Sequence, residues 1–353
     1  MDAVRRLFEH QHARGLFPGG QLVVRRAGEV LLDMALGTAR GFRPSEHEPA
    51  VAVTPDTRFS VFSASKGVVA VAIAMLEDRG ALDVSASVAK YFPEFAANGK
   101  GELTVLDVLT HRACVFTPEL VASPADWGSL EKVRAALIAA TPRFRRGTLA
   151  YMPYEYGWIL AEVVRGATGR SLDAFIEAEL GLRFGAREDE LGSLARTYWV
   201  GTRPVVVAGR DLKDTFEADN NLPAALMAFV PAAGLITNAR TLAQFYDSVL
   251  SGRFISPETL RRYAGDAPLS LDRSNRIPMR MARGFMLGNR TPSIYGWWNT
   301  HRVFGHAGAF SALGYGDPDR QLAVSIVTNG NRGPYDALFR FAPLGSAIRR
   351  ALS

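Results

Sequence analysis

Ser63 and Lys66 stand three residues apart in the run Phe59-Ser60-Val61-Phe62-Ser63-Ala64-Ser65-Lys66-Gly67. Positions i and i+3 of a helix share a face, so the hydroxyl and the amine can meet. A serine hydroxyl is a weak nucleophile and needs a neighbouring base. A lysine serves if desolvation lowers its pKa, and Val61, Phe62, Val68 and Val69 offer apolar surroundings. The amides at a helix start also face a developing oxyanion. Read alone, the spacing is weak evidence, because Ser87 to Lys90 and Ser129 to Lys132 repeat it. Ser129 reads as a helix cap and Ser87 lies in a short linker. Only Ser63 sits where a β-prone stretch runs into an apolar helix. The plain alternative is a capping serine beside a snorkelling lysine.

Tyr151 is the second candidate. It lies in Tyr151-Met152-Pro153-Tyr154-Glu155-Tyr156, a loop entering a helix. A lysine ammonium nearby would favour the phenolate, which can take a proton from serine and hand it to a leaving group. Three tyrosines within six residues also fit a packing segment. The third candidate is Gly305-His306-Ala307-Gly308-Ala309-Phe310. Glycine in a strand marks close approach of a backbone or ligand. The Ala309 amide is placed to be a second oxyanion donor opposite that of Ser63, with His306 lining the cleft; a glycine-rich hairpin with a satisfied histidine is the alternative. Trp127, Trp297, Trp298 and Phe310 are further candidates for the cleft wall.

The elements around these residues follow from periodicity and punctuation. Residues 2–14 read as a helix, Gln21–Arg26 and Val30–Leu36 as a hairpin, 40–56 as a loop, and Ala64–Arg79 as a buried helix stopped by Gly80. Helices follow from Thr104, with Thr104 as cap, and over 129–140, 155–166 and 171–180. Strands are expected at Tyr198–Val207, Met281–Leu287, Val303–His306, Ser311–Tyr315 and Leu322–Thr328, and helices at Ala239–Leu250 and 334–351. Strands at both ends of the chain and helices between them predict an α+β fold. The sheet domain is assigned to 1–79 and 201–353, and a mainly helical insertion to 80–200.

In this order the three segments resemble the serine β-lactamase and penicillin-binding-protein superfamily. The likeness is nearest to its class C β-lactamase-like branch, which includes the family VIII carboxylesterases. Leu103–His111 and Pro231–Ala239 resemble further segments of that family. The resemblance implies a β-lactamase/transpeptidase-like fold, with a mixed, mostly antiparallel sheet flanked by helices. It also implies catalysis by Ser63, Lys66 and Tyr151, with His306, Gly308, Ala309, Trp298 and Phe310 at the oxyanion and substrate site. Two departures stand out. Pro153 occupies the place where relatives carry an asparagine that binds the acylamide chain of β-lactams. His306 occupies the place of the lysine that anchors the β-lactam carboxylate. Both favour a neutral ester as substrate over a β-lactam.

The remaining features narrow the class. The 353 residues carry 41 basic and 35 acidic side chains, a net charge of +6, scattered rather than striped, which argues against nucleic acid. The single cysteine, Cys114, excludes an internal disulfide and a cysteine-based zinc site. No secretory or membrane-spanning apolar run occurs, so a cytoplasmic location is expected. There is no Gly-x-Ser-x-Gly elbow, His-Glu-x-x-His motif or phosphate loop. His10 and His12 point to different faces of the first helix. No metal or cofactor is called for. The expectation is a carboxylesterase acting on a small-molecule ester. An acyltransferase with the same acyl-enzyme, a β-lactamase or D-amino-acid peptidase, and a non-catalytic binding relative are the alternatives.

Overall fold

The computed structural model describes residues 1–202, 206–207, 210–309 and 311–352. The N-terminal helix α1 (Asp2–Ala13) leads into a hairpin of β1 (Gly19–Arg26) and β2 (Glu29–Arg40), followed by the short edge strand β3 (Val51–Ala52). Next comes α2 (Ser65–Asp78), the apolar helix that begins beside Ser63. The middle of the chain is helical, with α3 (Val105–Leu109), α4 (Leu130–Ala139), α5 (Glu155–Thr168) and α6 (Leu172–Leu180). The last part supplies α7 (Ala239–Leu250), β4 (Met286–Leu287), β5 (Phe304–Gly308), β6 (Ala312–Asp317), β7 (Leu322–Thr328) and the terminal helix α8 (Pro334–Arg350).

Seven strands form one sheet in the order β4-β5-β6-β7-β1-β2-β3, each neighbouring pair antiparallel. The first and last strands of the chain thus meet at its centre, with Leu22 opposite Ile326 and Val24 opposite Val324. Alternation along the strands sorts their side chains to two faces. Leu22 and Val24 join Phe8 of α1 and Phe341, Leu344 and Ile348 of α8. Val23, Ala323 and Val327 face the other way, against α2 and α7. That second apolar core runs on without interruption into the helical region, through Leu109, Leu137, Ile159 and Phe175. Among the described residues no helix is long and apolar enough to cross a membrane.

Several local expectations need correction. β2 continues to Arg40, where a loop is expected, because Thr38 and Arg40 pair with Ala52 and Val51. The expected strand Met281–Leu287 keeps only Met286–Leu287. Gly284 turns the chain with φ +80° and packs so closely that a Cβ there would lie 2.5 Å from that of Ala70. Tyr198–Val207 is not one strand. Tyr198–Trp199 pairs with Gly330–Asn331 and Val206–Val207 with Arg210–Asp211, and residues 203–205 lie outside the described set. The caps at Thr104 and Ser129 form, each side chain accepting from an amide three residues on.

Candidate functional site

The turn carrying Ser63 is held from below. Phe59 and Ser60 pair with Thr237 and Ile236, and the Val61 amide donates to the Leu235 carbonyl at 3.1 Å. Phe62 then takes φ +48°, a conformation that side chains other than glycine rarely adopt and that clusters at functional sites. This reverses the chain and presents Ser63 half-buried at the entrance of α2. One turn on, Lys66 is wholly buried.

The Lys66 Nζ has three neighbours. It lies 3.1 Å from Ser63 Oγ, 2.7 Å from the Pro153 carbonyl and 3.0 Å from the Ala232 carbonyl. The two carbonyls can only accept. A neutral amine has two N–H donors and one lone pair, so with both donors committed the lone pair points at Ser63. Burial pushes the Lys66 ammonium well below the ordinary lysine value, against an opposing pull from the buried Glu155 carboxylate. Glu155 accepts from the amide and hydroxyl of Thr117, at 2.7 and 2.9 Å.

Tyr151 comes from the loop before α5. Its own amide donates to Asp272 Oδ1 at 2.8 Å, and the next amide, Met152, donates to His111 Nδ1 at 2.9 Å. The ring stacks on His111, centroids 4.5 Å apart, and His111 in turn stacks on Tyr156 at 4.9 Å. The backbone and ring are therefore both fixed. Ser63 lies close enough to the phenol to oppose the effect of burial on it, and the Lys66 Nζ lies 5.0 Å from the ring centre. Burial pushes the phenol up, the Ser63 contact pulling only partly back. A resting neutral phenol, not the expected phenolate, follows, which suits a proton donor.

β5 closes the opposite wall. Gly308 passes so near the Ser63 turn that a Cβ would fall 1.9 Å from the Val61 carbonyl oxygen; only glycine fits. The following turn is closed by the Ser311 amide donating to the Gly308 carbonyl at 2.9 Å. Ala309, at φ +38°, occupies the first corner of that turn, and its amide takes no part in the closing bond. Its side chain packs with Phe62, Trp199 and Phe216. His306 is buried, its ring centre 6.0 Å from that of Tyr151. Its Nδ1 is 2.7 Å from the Ala307 carbonyl, so Nδ1 carries the proton and the buried Nε2, without a partner, is an acceptor. Burial, with Lys66 adding, pushes His306 down to about 3, so its ring is neutral.

The structure thus gathers Ser63, Lys66, Tyr151, His306, Gly308 and Ala309. Phe310 lies outside the described residues. Trp298 is 66% exposed in the loop joining β4 to β5, at the far end of β5 from Gly308; Trp297 beside it donates its amide to Ser346 of α8. Trp127 does come near: with Phe62, Tyr154, Val230 and Ala233 it lines a small recess beside the Ser63 turn. Sequence reasoning gave no role to His111, Glu155 or Asp272, nor to the Pro153 and Ala232 carbonyls. His111 ends the Leu103–His111 segment and Ala232 lies in the Pro231–Ala239 segment. Asp272 opens an Asp-Arg-Ser-Asn run whose turn chemistry is readable, its carboxylate receiving the amides of Ser274 and Asn275. Among the described residues no group of three or more His, Cys, Asp or Glu is arranged to hold a metal ion.

Known proteins share this architecture. Residues 4–343 match the family model described as Beta-lactamase. The esterase/beta-lactamase LipL of Mycobacterium tuberculosis is 28% identical over 89% of this chain and 77% of its own. A penicillin-binding protein homologue from Caulobacter crescentus superposes with TM-score 0.81 at 27% identity, covering 99% of this chain and 97% of that one. A family VIII carboxylesterase superposes with TM-score 0.78 at 24% identity over 97% and 95% of the two chains, a likeness of fold. With the family model spanning nearly all of it, the chain belongs to the β-lactamase family of serine hydrolases, which counts carboxylesterases among its members.

Proposed function

We propose that the protein is a serine carboxylesterase that works through an acyl-enzyme on Ser63. The observation that carries this reading is the set of partners around Lys66, which leaves the lone pair of a neutral amine only Ser63 to address. Lys66 takes the Ser63 proton as Oγ attacks the ester carbonyl. The Ser63 and Ala309 amides receive the oxyanion, each such donor being worth about 3 kcal/mol. As the tetrahedral intermediate collapses, the Tyr151 phenol protonates the departing alkoxide, and the proton held on Lys66 restores the phenol. Water then attacks the acyl-enzyme, gives up a proton to the same pair, and the acid leaves Ser63.

Two features favour a neutral ester over a β-lactam. Pro153 presents a main-chain carbonyl, already bonded to Lys66, where an asparagine would reach for an acylamide. His306, neutral through burial, puts no cation where a substrate carboxylate would need one. LipL bears both esterase and β-lactamase in its name, and nitrocefin turnover is the check on the second activity. The acyltransferase reading has an alcohol take the acyl group in place of water; alcoholysis products formed with added alcohols distinguish it. A single buried cysteine agrees with work in the reducing cytoplasm on a small-molecule substrate. The deciding test is turnover of p-nitrophenyl esters of graded chain length by the wild type and Ser63→Ala. Loss of turnover in the variant supports the reading, and equal rates overturn it.

A further inference from the structure

A cleft of about 760 Å³ lies at the end of β5 remote from Gly308. Its apolar floor is formed by Leu250 at the end of α7 and Leu260 of the short helix Pro257–Tyr263, with Phe304, the first residue of β5, buried beneath them. Its walls are cationic: four arginines line it against one aspartate, Asp266. Two of the four are committed. Arg280 spends its guanidinium on Asp266 and on the Ala267, Gly288 and His301 carbonyls, and Arg302 pairs with Asp319 at 3.1 Å. The other two, Arg261 and Arg290, are exposed, and among the described residues neither has a carboxylate partner. Free guanidinium groups over an apolar floor suit a ligand with an anionic head and a hydrocarbon body.

We propose that this cleft is a second binding site, distinct from the Ser63 site, for a small amphiphilic anion whose phosphate or carboxylate group is held by Arg261 and Arg290 and whose apolar part lies on Leu250 and Leu260. The proposal does not depend on the chemistry at Ser63. Phe304 lies beneath the cleft at the start of β5, so a ligand there sits beside the strand that carries His306 and Gly308.

Calorimetric titration with octyl phosphate tests it, using inorganic phosphate and octanol as the two halves of the probe. The wild type is expected to bind one octyl phosphate at least tenfold more tightly than either half. Arg261→Gln with Arg290→Gln is expected to weaken octyl phosphate at least tenfold and to make what remains insensitive to salt, while ester turnover stays at the wild-type rate and reports an intact fold. Undiminished binding by the double variant overturns the site. Equal affinity for inorganic phosphate and octyl phosphate overturns the amphiphilic ligand, and binding of octanol as tightly as octyl phosphate overturns the role of the arginines. No binding of octyl phosphate at millimolar concentration overturns the whole.

Discussion

Two lysines of this protein are wholly buried, and they differ in one neighbour. Lys100, in the loop before α3, reaches the carbonyls of Ala97 at 2.6 Å, Ile138 at 3.0 Å and Ala140. Lys66 reaches two carbonyls and a hydroxyl. Three carbonyls demand three donors, which only the ammonium supplies, so Lys100 is a structural cation tying the loop to the end of α4. The hydroxyl beside Lys66 can donate as well as accept, so the amine is satisfied without its extra proton. Burial alone therefore does not make a base; a partner that can change roles does.

The largest effect that could break this contrast is on rate. Lys66→Met and Lys66→Arg are each expected to lower kcat/KM on a p-nitrophenyl ester by about 10⁴-fold, because arginine keeps the charge but does not release its proton. A Lys66→Arg enzyme with near wild-type turnover removes the base from the scheme. Tyr151→Phe comes next, with a loss of about 10²–10³-fold in kcat and a smaller change in KM. Lys100→Met should leave kcat/KM of the folded protein intact and lower unfolding free energy by about 1–2 kcal/mol, as the Ala97 and Ala140 carbonyls lose a donor while Ile138 keeps that of Asn98; urea titration reads this out. Asp272→Ala, which frees the Tyr151 amide, should cost about tenfold in kcat through misplacement of the phenol.

The pH profile sharpens the contrast by an effect expected to be nil. In the proposed scheme the Lys66 ammonium is the idle form and the amine the active one. Turnover should therefore rise as pH climbs through the lowered Lys66 pKa and be lost below it. His111 and His306 are both pushed below the ordinary histidine value by burial, so neither supplies that limb. His306→Gln should leave it where it is in kcat/KM against pH. A limb that moves with the substitution would belong to the histidine.

How much of this was readable beforehand depended on how local the signal is. Ser63 and Lys66 were legible because one helical turn joins them, and the sheet at both ends of the chain because its strands are apolar-rich runs bounded by turns. Lys100 passed unremarked: it stands between glycines in a loop without periodicity, and two of its three acceptors come from the end of α4, about forty residues away. Asp272 and Glu155 act on partners 121 and 38 residues distant, a relation no spacing records. The phenolate expectation for Tyr151 weighed the nearby lysine and could not weigh the burial that outranks it. Trp298 was drawn in by type alone, while Trp127, of the same type, stands beside the recess.

The pairing of β1 with β7 has a consequence for biosynthesis. Their facing residues are separated by about three hundred positions, so the first hairpin leaves the ribosome with one edge open and waits for that length of chain before β7 fills it. β5 and the Ala309 turn also emerge late, long after Ser63. Under the proposed scheme, the nascent chain carries Ser63 through more than two hundred further residues of synthesis before the Ala309 amide that would complete its oxyanion site exists.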